Sequence, residues 1–85
     1  MRGSSQDEAR AFIRRLLARK ARLPADFDDN TDFIAAGIVD SIGIIKFVLE
    51  LESHFGIEID PVDMESVKFR SISGLAGIID GKVAA

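Results

Sequence analysis

A chain of 85 residues without a single cysteine has neither disulfides nor thiolate metal sites to staple a small fold. Its stability must therefore come chiefly from buried apolar surface. That demand makes hydrophobic spacing the decisive feature of the sequence. The clearest case is Ile44, Phe47, Val48, Leu51 and Phe55, which fall within an arc of about 100° on a helix of 3.6 residues per turn. Ser41 opens this helix as the expected N-cap, and Asp40 beside it suits the positive end of the helix dipole. Gly56 stands where a C-terminal glycine belongs.

The same period recurs elsewhere. Ala9, Phe12, Ile13, Leu16 and Leu17 predict a first helix over Gln6–Arg22, with Arg and Lys on its other face. Ser5 and Glu8 have capping-box spacing, and Pro24 ends the segment. Asp60-Pro61 starts a short third helix reaching about Val67, with Asp63 in its first turn. A last helix over Ser71–Asp80 buries Ile72, Leu75, Ala76 and Ile79, with Gly74 and Gly77 on its outer face and Gly81 closing it. Each of those two glycines costs about 1 kcal/mol relative to Ala, so packing must hold this helix.

Between the first two helices, residues 25–40 combine Asp26, Asp28, Asp29, Asn30, Thr31 and Asp32 with two apolar pairs, Phe33-Ile34 and Ile38-Val39, around Gly37. Turn formers with spaced anchors predict a long ordered loop pinned to the core. Such loops are often functional. The expected architecture is all-α: one domain over residues 6–82, a small four-helix bundle with a long ordered loop after helix 1 and a short third helix. Residues 1–5 are expected to be a disordered or vector-derived start, and residues 83–85 a tail.

Several functions are disfavoured. At 47% hydrophobic and 29% charged the chain reads as an ordinary globular domain. No run approaches the roughly 20 apolar residues of a membrane helix, and Met1–Ser4 contains no apolar signal region. A cytoplasmic monomer without membrane insertion is expected. A net charge of −3 argues against nucleic acid, which calls for a basic face. Arg10, Arg14, Arg15, Arg19, Lys20 and Arg22 read as a solvated helix face, with a phosphate- or partner-binding stripe as the alternative. Ser41 is no self-contained hydrolase nucleophile, because the sole histidine, His54, lies about 20 Å further along the same helix. Asp28, Asn30 and Asp32 fit the opening ligand positions of a calcium loop, but Phe33 and Val39 stand where glycine and a bidentate glutamate belong. These carboxylates read instead as turn and capping groups, and no metal site is expected.

The outer face of the second helix is unusual. Ile42, Ile45 and Leu49 cluster nearly opposite the buried stripe, where a solvent-facing surface is normally polar. Either the helix is buried on both sides, or these residues form a partner-docking patch.

These segments resemble the acyl carrier protein family, the phosphopantetheine-binding carrier domains. Gly37-Ile38-Val39-Asp40-Ser41-Ile42 is similar to the family's Gly-x-x-Asp-Ser-Leu motif, with Ile42 in the leucine place. Leu49-Glu50-Leu51-Glu52 and Phe55-Gly56-Ile57-Glu58-Ile59 look like the segment closing its second helix, and Phe69-Arg70-Ser71-Ile72 like the approach to its last. The likeness spans about Phe12 to Ile79. A bare Asp-Ser pair carries no information, but its place at a helix start after a glycine-containing loop is specific.

The resemblance implies a non-catalytic carrier. A phosphopantetheinyl transferase, using its own magnesium, would attach 4′-phosphopantetheine from coenzyme A to Ser41, and Asp40 would be read by that transferase. The arm's thiol would supply the nucleophile this chain lacks, carrying acyl groups as thioesters between a loading ligase and an acyltransferase or condensing enzyme. The helix dipole and free amides at Ser41 would favour the phosphate. Ile42, Ile45, Lys46, Leu49 and Glu52 would meet partner enzymes. Gly43 and Lys46 stand where the fatty-acid branch offers acidic residues, which points to a specialised pathway. Aminoacyl, D-alanyl or peptidyl carriers are the alternative, and an unmodified helical interaction module is the second.

Overall fold

The structure is a computed structural model that describes residues 5–84 and, of Ser5, the backbone only. The expectations for residues 1–4, for Ala85 and for the Ser5 cap lie outside the described residues. Four α-helices, α1 (Ser5–Lys20), α2 (Gly43–Phe55), α3 (Pro61–Glu65) and α4 (Ile72–Ala84), are joined by a loop after α1 and by a 3₁₀ turn at Val67–Arg70. No strand occurs among the described residues. The all-α bundle with a long loop and a short third helix is the architecture expected from the periodicity.

The apolar stripes face one core. Ala9, Ile13, Leu16 and Leu17 of α1 pack with Ile72, Leu75, Ala76 and Ile79 of α4, all buried. Ala9 and Ala76 are completely buried in this packing. From α2 come Phe47, Val48 and Leu51, with Ile44 and Phe55 half-buried beside them.

Gly74 corrects the reading of α4. It does not lie on an outer face: a Cβ there would stand 2.3 Å from the Lys68 carbonyl oxygen. The 3₁₀ turn presses its backbone onto this glycine, and nothing larger fits without displacing main chain. Helical periodicity assigned that face to solvent because an irregular turn leaves no periodic mark. Gly81 does not end α4 either, since among the described residues only Gly37 and Gly56 have positive φ. The helix continues to Ala84, and Lys82 reaches back to the Asp63 carboxylate at 2.8 Å. The third helix stops at Glu65 because Ser66 is extended and its hydroxyl accepts the Lys68 amide at 3.1 Å, a local bond that competes with helix.

The loop after α1 is ordered by hydrogen-bonded turns. The Asp28 carboxylate accepts the Asn30 amide at 2.8 Å, and Asp32 accepts the Ile34 and Ala35 amides at 3.1 and 2.8 Å. These are the capping roles expected of the acidic run. Two backbone bonds clamp the loop to the other end of the chain: Phe33 N–H to the Arg70 carbonyl (2.9 Å) and Ser73 N–H to the Asp29 carbonyl (2.8 Å). Phe33 and Val39 are buried and Ile34 packs against the core, so the expected anchors hold. The Phe33 ring meets Phe47 edge-on at 5.6 Å between centroids, and Phe47 meets Phe69 at 6.4 Å.

Two carboxylates are tuned by these contacts. The amide of Ala35, and then the Arg70 guanidinium at 2.7 Å, hold Asp32 below its ordinary carboxylate range. The Lys82 ammonium does the same for Asp63, which in turn raises Lys82.

Two outcomes follow. Phe33→Ala should destabilise the fold by about 3–5 kcal/mol, the range for truncating a fully buried ring, read by circular dichroism because Trp and Tyr are absent. Stability should also fall in acid. Both carboxyls are depressed in the folded chain, so their contribution is complete above 3.8 and is lost as pH drops through their lower folded values. Asp32→Asn should therefore lower the melting temperature at neutral pH and leave it nearly unchanged once Asp32 is protonated in the parent. Lys82 adds a loss at the alkaline end, above 10.5.

Candidate functional site

The loop delivers the chain to the head of α2. Gly37 turns it with φ at +80°, in the region that glycine enters without strain. Ile38 and Val39 are then buried, their amides donating to the Phe33 carbonyl at 2.9 and 3.2 Å. With two successive anchors held, Asp40 and Ser41 emerge at a fixed place on the surface, both exposed.

Asp40, not Ser41, caps the helix. The Asp40 carbonyl accepts the Ile44 amide at 2.9 Å, the first helical bond of α2. Its carboxylate Oδ1 accepts the amides of Ile42 and Gly43 at 3.1 and 2.7 Å. That is the N-cap pattern, and Ile42 already has helical dihedrals. Ser41 thus occupies the first helical position. The free amides expected at this helix end are in part engaged by Asp40 itself. Gly43 fits this arrangement tightly, since a Cβ there would meet Asp40 Oδ1 at 3.2 Å.

The Ser41 hydroxyl has no hydrogen-bond partner among the described residues. No base among the described residues activates it: His54 lies at the far end of α2, stacked on Phe12 of α1 with ring centroids 3.9 Å apart. An exposed, unengaged hydroxyl at a rigid helix head suits modification by an outside enzyme and not self-contained catalysis. It fits a covalently attached group.

Beside Ser41 the outer face of α2 is apolar. Ile42 is 88% exposed, and Ile45 and Leu49 are 58% exposed. The helix is not buried on both sides, which removes the bland explanation of these residues. Lys46 is exposed next to them. Glu52 is more constrained than its place in the sequence implied: its carboxylate accepts the Ile59 amide at 2.8 Å, closing the segment after Gly56. Glu50, which spacing alone did not single out, pairs with Arg19 and Lys20 of α1 at 3.2 and 3.3 Å. Its role needs the two helices side by side, which no local pattern reveals. The basic face of α1 is thereby partly neutralised, with Arg14 also paired to Asp29 at 2.8 Å.

Comparison with known proteins agrees with this geometry. Residues 11–79 match the family described as "Phosphopantetheine attachment site", a span that includes Ser41, all of α2 and α3, and the greater part of α1 and α4. An acyl carrier protein of Lactobacillus acidophilus is 34% identical over 65 residues, covering 75% of this chain and 81% of the relative. On the family match, the likeness to that relative, the helical fold and the exposed serine, the chain belongs to the acyl carrier family, whose prosthetic group is covalently bound 4′-phosphopantetheine.

Proposed function

We propose that Ser41 is the attachment point of the arm, and that the chain shuttles acyl groups between separate enzymes without catalysing a step itself. The observation that carries this reading is the exposed, unpartnered Ser41 hydroxyl at the first helical position, on a loop whose two anchors are buried. When bound, the arm supplies a thiol, the reactive group a cysteine-free chain lacks. The protein's own residues fix the site. Asp40 holds the first turn of α2, so the backbone presents Ser41 at a fixed place to a phosphopantetheinyl transferase. Gly43 lets the Asp40 carboxylate lie close beneath it.

The apolar stripe of Ile42, Ile45 and Leu49 is the face presented to that transferase, to a loading ligase and to an acyltransferase or condensing enzyme. Gly43 and Lys46, in place of carboxylates near the serine, favour a specialised acyl or aminoacyl pathway over routine fatty-acid synthesis. No helix among the described residues is long and apolar enough to cross a membrane.

Incubation with coenzyme A and a promiscuous transferase should add the mass of one arm to the parent chain and nothing to Ser41→Ala. The variant should stay folded, because Asp40 provides the cap. Mass addition that persists in the alanine variant contradicts the assignment. Leu49→Ala should slow loading by the cognate ligase by about tenfold or more, as truncation of an interface anchor does, with an unchanged melting curve. Unfolding of that variant would place Leu49 in the core instead.

A further inference from the structure

The last turn of α1 and the middle of α2 enclose an open cleft of about 200 Å³, lined by Leu16, Arg19, Lys20, Lys46 and Glu50. Its charges are unbalanced: three cations face one carboxylate. Glu50 is already shared between Arg19 and Lys20. Lys46 lies one turn before Glu50 on the same side of α2, yet it forms no ion pair among the described residues. In a chain whose net charge is −3, this local excess of positive charge is a feature of placement and not of composition.

The carboxylates of α2 are committed elsewhere. The helix has two, Glu50 and Glu52; the first is held by α1 and the second by the Ile59 amide. Asp40 at its head is bound to the amides of Ile42 and Gly43. Along this helix a basic partner surface meets only carboxylates that already hold a partner, whereas an acidic one meets Lys46, which has no ion pair among the described residues. The cleft is smaller than the roughly 300–1,000 Å³ typical of small-molecule pockets, a size suited to one side chain. Lys46 and Glu50 follow Ile45 and Leu49 in sequence, so the cleft borders the apolar stripe one helical step around the axis.

We infer that this cleft seats an acidic side chain of the enzyme that docks on the α2 stripe, so that the carrier selects partners presenting carboxylates beside an apolar ridge. The inference rests on reading the α2 face as the docking surface. It is independent of whether Ser41 bears the arm, which intact mass measures on the same sample.

The probes are two synthetic helical peptides with the same leucine face, one flanked by glutamates and the other by lysines at the same positions. Each is titrated into the isotope-labelled full chain and followed by amide chemical shifts. The glutamate peptide should bind more tightly, should shift Arg19, Lys20, Ile45, Lys46 and Leu49, and should weaken as salt is raised. Lys46→Glu should reduce its affinity by about tenfold and reverse the preference between the peptides. Lys46→Ala, with the same helical circular dichroism as the parent, should give an intermediate loss. Equal or tighter binding of the lysine peptide overturns the inference. So do shifts confined to the Arg14–Arg15 face, an unchanged preference in Lys46→Glu, or no binding of either peptide.

Discussion

The burial of the Phe33 ring is the contact on which the rest of the molecule depends. The ring stands against Phe47 of α2, which in turn meets Phe69 of the 3₁₀ turn. The backbone of the same residue donates to Arg70 and accepts from Ile38 and Val39. One residue of an irregular loop thus ties together the helix that carries the serine, the turn before the last helix, and the segment leading to the site. Ordering so long a loop costs conformational entropy for every residue fixed. Concentrating the anchors at Phe33, Ile38 and Val39 offsets that cost where position matters, immediately before Asp40. The Asp32–Arg70 pair reinforces the same junction from the polar side.

The helices reach this core by two kinds of packing. Small residues allow close packing: Gly74 brings the 3₁₀ turn onto α4, and Ala9 of α1 and Ala76 of α4 are fully buried where these helices join the core. By contrast, α2 meets α1 through long side chains: Phe12 with His54 and Phe55, and Arg19 and Lys20 with Glu50. A helix held in this way needs only one of its faces for the fold. Its opposite face is free to keep Ile42, Ile45 and Leu49 in water, an arrangement that stability alone does not favour.

Much of this was legible in the residues, and what was not has physical reasons. Periodicity finds the helices because a buried stripe repeats every turn, and it placed Ile72, Leu75, Ala76 and Ile79 correctly in the core. The loop anchors were visible because apolar pairs inside an acidic run have no reason to be there unless buried. The cap was misassigned by one residue, since Asp40 and Ser41 are both good N-caps and only the hydrogen bonds distinguish them. Gly74 was placed on the wrong face because its neighbour, the backbone at Lys68, belongs to an aperiodic turn. Gly81 gave a stop signal that a distant pair, Lys82 with Asp63, overrides. The role of Glu50 depends on residues thirty positions away. Long-range partners of this kind leave no trace in spacing.

The capping of α2 by Asp40 has a consequence for anything joined to Ser41. A helix start is ordinarily a place where an anionic group settles against unpaired amides. Here the neighbouring carboxylate occupies those of Ile42 and Gly43 and adds its own negative charge. A substituent on the serine oxygen would therefore meet fewer free amides at its base than a bare helix start offers. Such a group would be held by its bond to the serine and not by the helix end, with a reach set by its own length. The domain would set where such a search is centred, and whatever surface receives the tip would set where it stops.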